Sequence, residues 1–273
     1  MLSRYLREDA TLKRMENKMK TIAICNHKGG VGKTATAMAF SECLAEKGYK
    51  TLLIDLDQQL NATMIANVDI ADNDVTVYDL LTSFDYNARD AVKHYKHGDI
   101  IPGDILVAEA EVAISRLDTS LTMLTDALES VENDYDYCII DCPPSLGLVT
   151  RNAIVAADEV IIVVLPDAAS VDGFAKIASM VESISANKRL NPNVKIAGIL
   201  INTFDERGKL ERELVRTLPV LAAKANTKVF DSKIRKCISV RQAQSSKVSL
   251  YDFAPNCTSA LDIQAFTDEY LTK

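Results

Sequence analysis

The sequence has no Cys-x-x-Cys pair, and its six cysteines (Cys25, Cys43, Cys138, Cys142, Cys237, Cys257) have no partner histidines at metal-ligand spacing. That excludes a metal site legible from local spacing and makes the cysteines small core fillers. Cys142 sits inside a motif described below, yet packing is its expected role. No apolar run exceeds strand length, so no membrane span is expected. The first twenty residues carry charges throughout and lack an apolar stretch of signal-peptide type, so a reduced, cytoplasmic protein is expected. Internal repeats, low-complexity tracts and Pro/Gly/Ser-rich linkers are also missing. The expected organisation is therefore a short extension over residues 1–19 and a single domain over 20–273. Basic residues are in deficit, 31 against 38 acidic, for a net charge of −7. On average the chain is not a polyanion-coating protein of the histone type.

What remains is an ordinary globular composition, with 48% hydrophobic and 25% charged residues. At 273 residues a core can bury roughly three-quarters of the surface exposed by the unfolded chain. Strands are expected at Thr21–Cys25, Thr51–Asp55, Tyr137–Asp141, Val160–Leu165 and Lys195–Ile201. Several are continuous apolar runs, the pattern of strands covered on both faces. Helices are expected near Gly32–Lys47, Ser120–Glu132, Gly147–Ala157, Val171–Ala186 and Lys209–Ala225, with a last one at Thr258–Leu271. Strand–helix alternation at this spacing gives an α/β fold, a mostly parallel twisted sheet with helices on both faces. Residues 1–18 read as a short charged helix with Leu2, Tyr5, Leu6, Leu12 and Met15 loosely on one side. Met19 is a candidate start, because a strand opens directly after it.

Residues 25–36 read Cys-Asn-His-Lys-Gly-Gly-Val-Gly-Lys-Thr-Ala-Thr, between the first strand and the first long helix. Glycines let backbone N–H groups wrap a phosphate, and the helix N-terminus adds its positive dipole end. The cradle is Gly29, Gly30, Val31, Gly32, Lys33, Thr34 and Ala35. Lys33 reaches the β- and γ-phosphates, and the Thr34 hydroxyl joins a Mg²⁺ shell. His27 stands at the first glycine of the usual GxxxxGK[ST] loop, and Lys28 precedes the Gly-Gly pair.

At these residues the sequence resembles the deviant Walker-A ATPases, the ParA/MinD superfamily of P-loop NTPases. The resemblance implies that Lys28 crosses a nucleotide-sandwich homodimer to the phosphates of the other subunit, with ATP and Mg²⁺ as cofactors. A solvated loop lysine is the alternative reading of Lys28. The stretch Asp55-Leu56-Asp57-Gln58-Gln59-Leu60-Asn61-Ala62-Thr63 resembles the Asp-Leu-Asp-Pro-Gln-x-Asn-Ala-Thr segment of ParA/Soj proteins, with Gln58 in place of proline. By that match Asp57 orients the hydrolytic water and Asp55 supports the metal shell; a helix-capping role is the other reading of Asp57. Asp141-Cys142-Pro143-Pro144-Ser145 ends an apolar strand in Walker-B fashion, so Asp141 is the metal aspartate. Asn202, at the end of a further strand, matches the family's adenine contact, with an ordinary turn asparagine as the alternative.

The family's short ParA/Soj type is the nearest match, over roughly residues 20–270; the extension is too short for an N-terminal helix-turn-helix domain. Its DNA surface is expected in the span 207–247, which holds eleven basic residues and three acidic ones, a local charge of +8 against −15 for the rest. Lys233, Arg235, Lys236, Arg241 and Lys247 are the candidate contacts to DNA phosphates, with a solvated helix face as the alternative. The acidic C-terminal helix argues against a MinD-like membrane tail. The resemblance thus implies weak ATP hydrolysis, non-specific double-stranded DNA binding, a ParB-like centromere-binding partner, no stable membrane association and a cytoplasmic, nucleoid-associated location. A positioning ATPase on a protein or membrane scaffold is the competing expectation.

Overall fold

A computed structural model describes residues 18–117, 119–205 and 207–272. Residues 1–17 of the expected N-terminal helix lie outside them. Strands β1 (Lys20–Cys25), β2 (Thr51–Asp55), β3 (Lys93–Tyr95), β4 (Gly98–Ile101), β5 (Tyr137–Asp141), β6 (Glu159–Val164), β7 (Lys195–Phe204) and β8 (Val229–Arg235) form one sheet. Its order is β3-β4-β2-β5-β1-β6-β7-β8. Every neighbouring pair is parallel except the β3–β4 hairpin at one edge. The helices are α1 (Lys33–Glu46), α2 (Asn61–Ala66), α3 (Val77–Thr82), α4 (Ala88–Ala91), α5 (Val107–Ile114), α6 (Met123–Leu128), α7 (Leu148–Ala156), α8 (Ala168–Ser185), α9 (Lys209–Lys224), α10 (Ile238–Ser245), α11 (Leu250–Phe253) and α12 (Thr258–Leu271).

The central strands alternate between two cores, which is why their sequences read as unbroken apolar runs. In β1, Ile22 and Ile24 face a cluster that holds Phe40 and Leu44 of α1 and Phe266 of α12. Ala23 and Cys25 face the opposite cluster, with Leu124 of α6, Val149 of α7 and Phe174 of α8. The crossovers β1-α1-β2 and β5-α7-β6 thus leave β1 and β5 in opposite directions on opposite faces. In such sheets the ligand crevice opens at the carboxyl ends of the strands where the order reverses.

All five expected strands and the alternating α/β order are present. The structure adds β3, β4 and β8, which are short or edge strands carrying charge and little apolar periodicity. The helix expected over Ser120–Glu132 contracts to α6 followed by a 3₁₀ turn at Glu129–Val131. At the β8 side, Phe266 is fully buried, its ring centroid 5.2 Å from Phe40 and 4.9 Å from Phe230. Phe266→Ala should cost about 3–5 kcal/mol by opening a cavity in this cluster. Urea unfolding followed by circular dichroism would show it as a lower midpoint with an unchanged slope.

Candidate functional site

β1 delivers the chain into the turn 26–32, where Gly30 and Gly32 take left-handed φ values of 73° and 90°. Helix α1 then starts with no side-chain cap and no acidic residue in its first turn. Its leading N–H groups and the positive end of its dipole therefore face the crevice, an arrangement suited to a phosphate. Lys33 is buried there, its ammonium donating to the Lys28 carbonyl at 3.4 Å. From β7, the Asn202 amide donates to the Val31 carbonyl at 2.7 Å, and its oxygen accepts the Thr203 N–H at 2.7 Å. A side chain at Gly32 would place its Cβ 2.1 Å from the Asn202 nitrogen, so glycine is required there by both backbone angle and space.

Asn26, which sequence reasoning passed over, clamps the other side of the turn. Its amide donates to the Val163 carbonyl at 2.7 Å, and its oxygen accepts the Lys28 N–H at 2.9 Å. Gly173 of α8 permits this packing, since a Cβ there would lie 2.2 Å from the Asn26 oxygen.

Parallel pairing places Asp55 of β2 level with Asp141 of β5. The two buried carboxyls differ in how they are satisfied. Asp55 accepts the Thr63 N–H at 2.9 Å, the Thr63 hydroxyl at 2.8 Å and the Asp57 N–H at 3.2 Å. Burial still pushes its carboxyl up to about 6, against those hydrogen bonds. Both oxygens of Asp141 are buried without a hydrogen-bond partner among the described residues. Burial first, then the Asp55 charge, holds its carboxyl well above the usual range, opposed by Thr34 and Lys33 from the phosphate loop. Asp57 is nearly buried, and its Oδ1 accepts the Gln59 N–H at 3.0 Å, which orders the turn before α2.

Lys28 lies at the crevice rim and pairs with Asp167 at 2.6 Å, each side chain about one-third exposed. Asp167 also caps α8 by accepting the Ser170 N–H at 2.8 Å. Burial opposes ionisation of Asp167, but Lys28 and Ser170 outweigh it and hold the carboxyl below its usual range. A separate cleft of about 540 Å³, lined by Tyr49, Lys50, Arg89, His94 and Asp99 among others, opens at the opposite, amino-terminal edge of the strands and holds none of these residues.

The AAA_31 family, described as an AAA domain, matches residues 19–196. The chain is 36% identical over 230 residues to the sporulation initiation inhibitor protein Soj of Bacillus subtilis, covering 84% of this chain and 87% of the relative. It is 33% identical over 241 residues to the chromosome partitioning protein ParA of Caulobacter vibrioides, covering 86% and 88%. The chain belongs to the ParA/Soj partition ATPases of the ParA/MinD superfamily. Among solved structures, Mycobacterium smegmatis cobyrinic acid a,c-diamide synthase with bound ADP and magnesium superposes with a TM-score of 0.77 at 26% identity, covering 92% of this chain and 93% of that one. An ATP complex of a McdA variant from Cyanothece shares the fold with a TM-score of 0.81 at 22% identity, over 93% and 96%.

In this partition ATPase the fold gathers Gly29–Ala35, Lys33, Thr34, Asp55, Asp57, Asp141 and Asn202 at one crevice. The DNA candidates lie on β8, on α10 and in the turns that follow them. Lys236, Arg241 and Lys247 are exposed and form no ion pair among the described residues, whereas Arg235 grips Asp262 at 2.6 Å and the Lys233 ammonium donates to the Asp231 carbonyl at 3.3 Å. Sequence reasoning missed Asn26, Thr63 and Asp167. Thr63 lay in the quoted motif, and Asp167 carried the signal of an aspartate three residues before a serine at a helix start.

Asp55 and Asp141 keep their protons to higher pH in the folded state than the ordinary aspartate value of 3.8. Their contribution to stability is complete below that value and declines as pH rises through the folded values, about 6 for Asp55. In nucleotide-free protein with EDTA, Asp141→Asn should therefore melt above wild type at pH 7. A gap of at least about 2–4 °C, the shift expected per kcal/mol at this size, should close toward pH 4. A variant melting at or below wild type at pH 7 would contradict the assignment.

Proposed function

We propose that the chain is an ATP-hydrolysing switch for DNA partition, in which Mg-ATP joins two copies, the dimer binds DNA non-specifically, and hydrolysis releases it. The supporting observation is Asp141: a fully buried carboxylate, without a hydrogen-bond partner among the described residues, facing the uncapped start of α1. Among the described residues no three carboxylate, imidazole or thiol groups form a ready metal cage. That suits Mg²⁺, which takes one or two protein carboxylates and completes its shell from phosphates and water. Asp141 and the Thr34 hydroxyl would hold the ion, with Asp55 behind them. When bound, Mg²⁺ would neutralise negative charge on the phosphates.

The Gly29–Ala35 cradle and Lys33 position the phosphates, and Asp57 orients the attacking water. Lys28 leaves Asp167 and reaches the phosphates of the second copy, adding a cation where negative charge develops. Asn202 holds the loop through Val31 and contacts adenine in this reading. Slow intrinsic turnover keeps the DNA-bound state alive until a ParB-like partner stimulates hydrolysis. Residues 20–273 act as one domain, in the cytoplasm and on the nucleoid. Among the described residues no helix is long and apolar enough to cross a membrane.

The exposed Lys236, Arg241 and Lys247 are the principal phosphate contacts in this reading, with Lys233 and Arg235 secondary. The second reading, a positioning ATPase acting on a protein or membrane scaffold, draws on the ion pairs Arg235–Asp262 and Lys228–Glu269, which neutralise part of the basic span. Retention of the protein on double-stranded DNA, with and without ATP at two salt concentrations, separates the two. Partition predicts ATP-dependent retention that weakens with salt, prolonged in Asp57→Ala. Lys236→Ala with Arg241→Ala should lower the salt slope by about one per contact removed. No retention in ATP would exclude the DNA reading.

A further inference from the structure

Two cysteines that the nucleotide chemistry leaves unused come together beside the basic turn. Cys237 is the residue on which α10 starts, and Cys257 the residue on which α12 starts. Hydrogen bonds from flanking residues fix their approach. The Ser259 hydroxyl, two residues past Cys257, donates to the carbonyl of Arg235, two residues before Cys237, at 2.8 Å. The Arg235 N–H donates to Asp262 of α12 at 2.8 Å. The end of β8 is thereby sewn to the first turn of α12, which brings Cys257 beside Cys237.

The Cys237 sulfur also lies at the amino ends of both helices. Burial alone raises its thiol, but the polar groups of Ser239, Thr258 and Ser259 outweigh it and bring it down to about 6. Neither cysteine is buried, so the core-filling role expected of all six holds for the other four alone. The contrast within the molecule is Cys25 and Cys142, whose sulfurs are 3.3 Å apart but fully buried. Burial pushes the Cys142 thiol well above its usual range. A thiol reachable from solvent, set at a helix start beside a second thiol, is the arrangement of an oxidisable dithiol.

We propose that Cys237 and Cys257 form a modification site, a dithiol that hydroperoxides oxidise to an intramolecular disulfide. The Cys237 thiolate attacks the terminal peroxide oxygen, the O–O bond breaks, and the released alkoxide or hydroxide takes a proton from water. Cys237 becomes a sulfenic acid. The Cys257 sulfur then attacks the Cys237 sulfur; the S–O bond breaks, and the departing hydroxide leaves as water with the Cys257 proton. Overall two thiols and one hydrogen peroxide give one disulfide and two waters. The bond ties the turn that carries Lys236 to the start of α12, and this chemistry does not depend on the DNA reading.

The test is intact mass of the reduced 273-residue chain after brief hydrogen peroxide treatment, with peptide mapping without reduction. The expected result is a loss of two mass units and a linked Cys237–Cys257 peptide. Cys257→Ser should instead give a dimedone-trappable sulfenic acid on Cys237, and Cys237→Ser should give neither product. Circular dichroism checks that both variants fold, and mapping of wild type stands independently of them. No mass loss in wild type, or a two-unit loss that persists in either variant, would overturn the proposal.

Discussion

An ionised carboxyl deep in a protein is costly unless charge or hydrogen bonds meet it. Asp141 sits at the centre of the sheet with no hydrogen bond to either oxygen among the described residues. The same crevice leaves the first turn of α1 without a cap. These two deficits have opposite sign and face one another, so a cation and a phosphate arriving together would satisfy both. Most of the local architecture serves to hold the deficit in place. Parallel pairing fixes Asp141 level with Asp55, and Thr63 absorbs the Asp55 lone pairs, leaving Asp141 as the carboxylate with free oxygens.

Rigidity around the loop has the same logic. Asn26 and Asn202 hold its two sides through backbone groups, one from the direction of β6 and the other from β7. Gly32 and Gly173 exist to let those amides approach. Two of the five non-glycine residues with left-handed φ among the described residues lie nearby: Thr203, a β-branched residue, sits at φ 55° beside Asn202, and Leu60 at φ 57° opens α2. Lys28 belongs to a looser layer. Its pairing with Asp167 is partly in solvent and weak enough to exchange, which fits the change of partner proposed for it.

Much of this was legible in the sequence. The five central strands, the order of the three nucleotide motifs and the carboxylates at strand ends could be read because buried parallel strands are uninterrupted apolar runs. The edge strands β3 and β8 were not, since an edge carries lysine and aspartate and lacks a two-sided core. The separate fates of Asp55 and Asp141 were also hidden: both end apolar strands, and only Thr63, eight residues beyond Asp55, distinguishes them. The basic span 207–247 was visible as charge, but its neutralising partners Asp262 and Glu269 lie on a helix outside it. A net charge of −7 therefore describes neither the crevice nor the basic edge.

The account stands or falls on whether Asp141 is the group that makes nucleotide binding depend on a divalent cation. The direct measurement is the affinity for a fluorescent, non-hydrolysable ATP analogue, with Mg²⁺ and with EDTA, in wild type and Asp141→Asn. Wild type should bind at least about tenfold more tightly with Mg²⁺, a coupling of about 1.4 kcal/mol, and the variant should lose most of that difference while staying folded. An undiminished magnesium effect in Asp141→Asn would contradict the account.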